Sequence, residues 1–195
     1  FILIINLINF NFYKYEKFTN YIDNIDYINR KILEKNKPKF RLNAYCINLR
    51  NKENNMIFIE KEWKDYLNIE RFIALNSASN SHRKILEKIW FNKNNIGFPI
   101  VIMEDDVFRK NNFVDYWNQL LDIKNCDYVC FDAFFLKIKE NYNSIHPNFV
   151  SLEEHRAMGL NVYYKQFFDK FKSIEELNSL LKGIIDMKFT HNKNI

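Results

Sequence analysis

Apolar positions along this chain follow two different periods, and the period changes several times between residues 42 and 131. Short apolar runs between polar loops predict strands at 42–49, 70–75, 99–103 and 127–131. Apolar residues at helical spacing predict helices between them, at 56–67, 82–91 and 112–123. This β-α-β-α-β-α-β order predicts an α/β fold with a mostly parallel sheet flanked by helices.

The regions on either side of this alternating pattern are less regular. Residues 1–41 are expected to form an N-terminal helical segment that ends around the polar break Lys35–Lys39, and residues 42–195 the main domain. Beyond the fourth strand, the pattern predicts a strand at 134–138 and helices at 166–171 and 174–181. Residues 150–164 mix loop and strand character.

Composition narrows the class of protein. Hydrophobic residues make up 47% of the chain and aromatic residues 17%, which is typical of a globular protein rather than a disordered one. The net charge of +5 is mild and spread along the chain, so it does not indicate a nucleic-acid-binding protein. The apolar opening FILIINLI is too short to span a bilayer, and no transmembrane segment is expected.

The three cysteines, Cys46, Cys126 and Cys130, include no CxxC pair. Their odd number and spacing argue against a disulfide framework and against a zinc site. We therefore expect core cysteines and favour a reducing compartment. Two serines, Ser79 and Ser81, are candidate caps for the helix at 82–91.

Three consecutive carboxylates, Glu104-Asp105-Asp106, follow the apolar run of the third strand in PIVIMEDDVFR. Because side chains alternate along a strand, Glu104 and Asp106 are expected on one side and Asp105 on the other. Two carboxylates aimed at one point repel each other unless a cation lies between them, and Mn²⁺ or Mg²⁺ prefers such oxygens. A solvated acidic turn is the alternative interpretation.

This triplet belongs to the last of three short blocks that follow one another along the chain. INLR occupies 47–50, Ser-His at 81–82 opens an amphipathic helix, and VIMEDDV occupies 101–107. The ordered set resembles glycosyltransferase family 25, which includes lipooligosaccharide and collagen hydroxylysine galactosyltransferases. Ile185-Asp186 is similar to a late block of that family, so that the resemblance covers roughly residues 42–190.

The resemblance implies a GT-A type nucleotide-sugar-binding fold. It also implies the transfer, with inversion, of a hexose such as galactose or glucose from a UDP-sugar to a hydroxyl of a glycan or a hydroxylysine-type protein acceptor. Mn²⁺ or Mg²⁺ is the implied metal cofactor, and nucleic acid is not an implied partner.

The same resemblance implies roles for individual residues. Glu104 and Asp106 would form the DxD-type pair that holds the metal and the diphosphate, which places Asp106 in the catalytic machinery. The remaining candidates would lie around the donor and acceptor: Asn48 and Arg50 near the nucleotide, Ser81 and His82 lining the donor site, and Asp186 on the acceptor side as the candidate base.

Alternative interpretations remain at this point. Glu153, Glu154 and His155 are a second source of a base or a metal ligand, or else a solvated helix face. A polar Asn76–Asn80 segment stands where the family has a Gly-rich piece, which is compatible with a degenerate, non-catalytic glycosyltransferase-like binding domain. A metal-dependent phosphoryl enzyme such as a nuclease is a third, weaker hypothesis, motivated by the acidic triplet and the basic balance.

Overall fold

The computed structural model describes residues 37–109, 113–131, 134–138, 152–156 and 159–182. In the two shortest of these stretches, 134–138 and 152–156, only the backbone is described. The chain divides between Lys37 and Pro38 into two units, and the described residues lie almost entirely in the second. The predicted helical segment at 1–41 falls outside the described residues except for its last five.

The described part of the chain contains seven strands and five α-helices. The strands are β1 Leu42–Asn48, β2 Leu67–Ile73, β3 Ile100–Glu104, β4 Tyr128–Cys130, β5 Phe134–Ile138, β6 Leu152–Arg156 and β7 Leu160–Tyr163. The helices are α1 Glu53–Trp63, α2 Ala78–Asn92, α3 Phe113–Trp117, α4 Lys165–Asp169 and α5 Ile174–Lys182, and a 3₁₀ turn spans Leu120–Asp122.

Five strands form one open sheet in the order β2-β1-β3-β7-β4. β1 pairs in parallel with both β2 and β3, whereas β7 runs antiparallel to β3 and to β4. The predicted α/β class with a helix-flanked sheet is confirmed. The sheet, which was predicted to be mostly parallel, has two parallel and two antiparallel strand pairings. β7 lies in the region without a clear pattern, because a four-residue run is too short to show a period. A second sheet pairs β5 with β6.

Both faces of the five-stranded sheet are buried by helices. On one face, which we call the α1 face, Cys46, Met103 and Val162 of the sheet pack with Trp63 of α1 and Trp117 of α3. On the opposite face, the α2 face, the sheet packs with α2, α4 and α5, and its core includes Ile47, Ile102, Tyr163, Ile85, Ile89, Phe168 and Leu177. Sheet side chains alternate between the two faces, as strand geometry requires.

Three element boundaries differ from the sequence-based expectation. The helix predicted at 56–67 ends at Trp63, and β2 begins at Leu67, which pairs with Leu42. Tyr66 and Leu67 are buried, as they would also be at the end of a longer helix, so periodicity alone did not distinguish the helix from the strand at these positions. The helix predicted at 112–123 is the short α3 followed by a 3₁₀ turn, where Tyr164 Oη donates to the Leu120 carbonyl at 2.8 Å.

The third difference concerns the start of α2. Ser77, and not Ser79 or Ser81, is the capping residue, because its backbone is extended and its Oγ accepts a hydrogen bond from the Asn80 amide at 3.1 Å. α2 therefore begins four residues before the predicted position, so that Ser81 ends its first turn and His82 begins its second. None of the described helices combines the length and apolarity needed to cross a membrane.

Candidate functional site

The candidate site lies at one edge of the sheet, where β1 and β3 end. The two strands are parallel and adjacent, and Ile47 is the register partner of Glu104. Their carboxyl ends therefore meet, which places Asn48 beside the acidic triplet. Such an edge is where open α/β sheets commonly bind ligands.

Asp105 is held on the α1 side of this edge by two amides. Asn48, which is buried, donates from Nδ2 to Asp105 Oδ2 at 2.5 Å and to the Lys52 carbonyl at 2.8 Å. Asn55, in the first turn of α1, donates to the same carboxylate oxygen at 3.3 Å. The contacts tie the end of β1, the start of α1 and the turn after β3 into one unit.

Glu104 faces the opposite side of the same edge. Its Oε1 lies 3.8 Å from Nε2 of His82, which lies at the start of the second turn of α2. His82 is fully buried, and Glu104 keeps 27% of its side chain exposed. The distance exceeds that of a hydrogen bond, so the pair is an electrostatic contact that strengthens when the imidazole is protonated.

The neighbouring carboxylates thus diverge, as the alternation of a strand predicts for consecutive residues. Asp106 lies beyond the end of β3 in a turn, where strand alternation no longer sets side-chain direction, and it is exposed. The segment after it is anchored to α1: Trp63 Nε1 donates to the Val107 carbonyl at 3.2 Å, and Arg109 Nε pairs with Glu62 at 3.0 Å.

The Ser81 hydroxyl makes two hydrogen bonds to the backbone of the protein. Its Oγ accepts a hydrogen bond from the Leu75 amide and donates one to the Ser77 carbonyl, both at 2.9 Å. The hydroxyl therefore fastens α2 to the segment that follows β2. Its expected role in lining the donor site stays a prediction, to which this hydroxyl could contribute only its remaining lone pair.

Arg50 is exposed in the turn that follows β1, two residues beyond Asn48. Its carbonyl accepts a weak hydrogen bond from Arg71 Nη2 at 3.4 Å, and the Leu49 carbonyl accepts another at 3.3 Å. Arg71 thereby orders the turn that carries Arg50.

Two other groups of candidates are not part of this edge as described. Asp186, with Ile185, lies outside the described residues. Glu153, Glu154 and His155 belong to strand β6, so the interpretation of a solvated helix face is wrong. Within the described ranges, no group of three or more His, Cys, Asp or Glu side chains is arranged to hold a metal ion.

Two of the three cysteines, Cys46 and Cys126, have thiol pKa values that are raised by burial. Burial, followed by the charge of Asp105, raises the pKa of the Cys46 thiol to about 12. Burial likewise raises the pKa of Cys126 to about 11. Both groups stay neutral at physiological pH, and neutral thiols are poor nucleophiles and poor metal ligands. All three cysteines are free, as the sequence predicts.

Sequence reasoning missed three residues of interest: Asp105, Asn55 and Asn161. Asp105 was expected to point away from the site, yet it is the carboxylate that contacts Asn48. Asn55 had no distinguishing signal. Asn161 is fully buried in β7, and the available signal was a lone amide inside the apolar run Leu160–Tyr163.

Comparison with protein-family models, curated proteins and solved structures found no match to this chain.

Proposed function

We propose that the protein is a GT-A type glycosyltransferase that transfers a hexose, galactose or glucose, from a UDP-sugar to a hydroxyl acceptor with inversion. The observation that carries the proposal is the meeting of Asn48, His82 and the acidic triplet at one strand edge. These residues come from three separate sequence blocks, at 47–50, 81–82 and 101–107, whose order resembles glycosyltransferase family 25.

The residues at this edge are suited to a divalent cation that is shared with a diphosphate. Mg²⁺ and Mn²⁺ are bound through one or two carboxylates, and substrate phosphates and water complete the coordination. Two carboxylates, Glu104 and Asp106, would hold the ion, while Asp105 is engaged by amide donors. When bound, the ion supplies positive charge that offsets the charge on the departing UDP.

The protein's own groups would divide the remaining tasks. Asn48 keeps Asp105 fixed and so defines the shape of the turn that carries Asp106. Arg50, an exposed residue two positions after Asn48, would supply a cation for the nucleotide's phosphates. An inverting transfer needs a base to accept the proton of the acceptor hydroxyl as that oxygen attacks the anomeric carbon, and Asp186 is the candidate.

The test is UDP-hexose turnover by Asp106→Asn, with UDP-glucose and UDP-galactose each assayed for hydrolysis and for transfer in the presence of Mn²⁺. We expect turnover to be lost while circular dichroism and Tm show an intact fold. Asp65→Asn is the matched control, because Asp65 is also an exposed turn aspartate but precedes β2 at the opposite edge of the sheet. Unchanged turnover in Asp106→Asn would remove the assigned role of that carboxylate.

A second candidate function is a non-catalytic domain that binds nucleotide sugars. The observation that favours it is that Ser81 and Asp105 are already engaged by groups of the protein itself. It predicts Mn²⁺-dependent binding of UDP to the wild-type protein, measured by calorimetry, with no turnover of either UDP-hexose. Turnover that Asp106→Asn abolishes would exclude this alternative.

A further inference from the structure

Three fully buried side chains on the α2 face, those of His82, Asn161 and Tyr163, carry polar atoms without hydrogen-bond partners in the described ranges. Both ring nitrogens of His82 and both polar atoms of the Asn161 amide are unpaired. Buried polar groups are nearly always paired, because removing them from water without a partner is costly. Of these, His82 and Asn161 lie towards the Glu104 end of β3, and their unpaired atoms require an explanation.

The sheet register places Asn161 on the same face as His82. Asn161 is the partner of Ile102, whose side chain belongs to the core of the α2 face. Its neighbours in β7, Leu160 and Val162, point to the α1 face. Alternation along the strand therefore directs the Asn161 amide to the face that α2 covers.

The register also places Asn161 close to Glu104. The Glu104 amide donates to the Gly159 carbonyl at 2.9 Å, so Gly159 lies opposite Glu104 and Asn161 lies two residues further along β7. Diagonal neighbours of this kind are about 7–8 Å apart.

We propose that Asn161 and His82 form a subsite that binds the hydroxyl groups of the transferred sugar, next to Glu104. An amide and a neutral imidazole each provide both a hydrogen-bond donor and a hydrogen-bond acceptor. Neighbouring sugar hydroxyls can accept from the donor and donate to the acceptor.

This inference rests on the proposed function, because it assigns the two parts of one nucleotide sugar to the two sides of this edge. The diphosphate lies by the turn at Asp106, and the hexose lies on the α2 face. Asn161 is then a ligand-binding residue that distinguishes the sugar-bearing nucleotide from free UDP.

The test compares UDP, UDP-glucose and UDP-galactose binding to the wild-type protein and to Asn161→Leu by calorimetry with Mn²⁺. Leucine is close to asparagine in size and shape. We expect UDP to bind both proteins equally, and the preferred UDP-hexose to bind Asn161→Leu about three- to tenfold more weakly, as for the loss of one or two hydrogen bonds. Asn161→Ala is the second variant if the leucine disturbs packing.

Tyr163→Phe is the matched control. Tyr163 lies on the same strand and the same face, is fully buried, and its Oη is also unpaired within the described part of the chain. It is the partner of Ile100, at the end of β3 away from Glu104. Its removal should leave UDP-hexose affinity unchanged.

A thermal measurement separates a ligand-binding amide from a structural one. An amide that supports the fold makes Asn161→Leu less stable, whereas an amide kept for a ligand makes the variant equally or more stable, because an unpaired buried group is removed. We expect a Tm at or above that of the wild type together with the weaker UDP-hexose binding.

The possible outcomes distinguish this inference from the proposed function. Full UDP-hexose affinity in Asn161→Leu would mean that a buried water pairs the amide, and would overturn the subsite with nucleotide binding intact. Equal affinity of the wild-type protein for UDP and both UDP-hexoses would do the same. Saturation-transfer NMR measures the binding of free glucose and galactose. Binding of a hexose without binding of UDP would support the subsite and contradict the proposed nucleotide-sugar donor. Binding of neither would contradict both the subsite and the proposed function.

Discussion

Asn48 and Asp105 are joined by a hydrogen bond of 2.5 Å between Nδ2 and Oδ2, across the adjacent carboxyl ends of β1 and β3. The donor is a buried amide and the acceptor a half-buried carboxylate. A hydrogen bond to an ionised acceptor is shorter and stronger than one between neutral groups. This contact therefore determines where the acidic turn lies relative to the end of β1.

Substitution Asn48→Ala should destabilise the protein by about 1.5–3 kcal/mol, because it removes a bond to a charged acceptor and a second bond to the Lys52 carbonyl. Urea denaturation measures the change in the free energy of unfolding. Asn55→Ala is the control, since its bond to the same oxygen is longer, 3.3 Å, and its loss should cost less. Equal losses in the two variants would contradict a leading role for Asn48.

Substitution Asp105→Asn should lower the free energy of unfolding by about 1–3 kcal/mol, because two amide donors would face a neutral group in place of a carboxylate. Glu104→Gln should have the smaller effect, since its contact with His82 is longer than a hydrogen bond. Both values come from urea titrations at the same pH. A larger effect of Glu104→Gln would show that the α2 side of the edge is the more strongly coupled one.

Substitution Ser81→Ala should cost about 1–2 kcal/mol of stability, because the buried hydroxyl pairs both the Leu75 amide and the Ser77 carbonyl. Ser179→Ala in α5 is the control: Ser179 is exposed, and a substitution there should change stability by less than about 0.5 kcal/mol. Thermal unfolding of both variants checks this. A Ser81→Ala protein that is as stable as the wild type but has lost UDP-sugar binding would assign the hydroxyl to the ligand instead.

Stability should fall as the pH rises above 9. The pKa of Cys46 is raised in the folded state from 9.0 to about 12, and that of Cys126 from 9.0 to about 11, in both cases mainly by burial. Above pH 9 the unfolded chain loses these protons while the folded chain keeps them. The stabilisation is therefore complete below pH 9 and is lost towards pH 11–12, at no more than about 1.4 kcal/mol per pH unit for each group.

Urea titrations between pH 8 and pH 10.5 measure this dependence, and Cys126→Ala isolates one of the two contributions. The variant should show a shallower decline between pH 9 and pH 10.5 than the wild type. Tyr128, Tyr163 and Tyr164 act in the same direction at higher pH, because burial raises the pKa of each. An identical slope with and without Cys126 would contradict the buried, protonated thiol.

The sequence predicted the strands β1, β3 and β4 well, and it predicted β2 and β7 less well. β1 and β3 were identified because apolar runs such as Ile100–Met103 are continuous when both faces of a strand are covered. β7 was not identified, because Leu160–Tyr163 is short and contains a polar residue. β2 was misplaced by three residues, because Leu67 fits the periods of both a helix and a strand.

The candidate site shows the same division. Its chemical residue types were visible in the INLR, Ser-His and EDD blocks, and the alternation of Glu104 and Asp105 followed from strand geometry alone. The partner of each was not visible. Asn48 and Asp105 are 57 residues apart in the sequence. Only the parallel pairing of β1 with β3 brings them together.

What the sequence determined by itself is the set of local features: which segments are strands or helices, and that three carboxylates follow a buried strand. These depend on the spacing of apolar residues and on backbone geometry, which act over a few residues. The tertiary structure decided that β7 lies antiparallel between β3 and β4, that Asp105 pairs with Asn48, and that the amide of Asn161 is buried on the face of His82. Strand order and register depend on the packing of the whole core, and no short pattern encodes them.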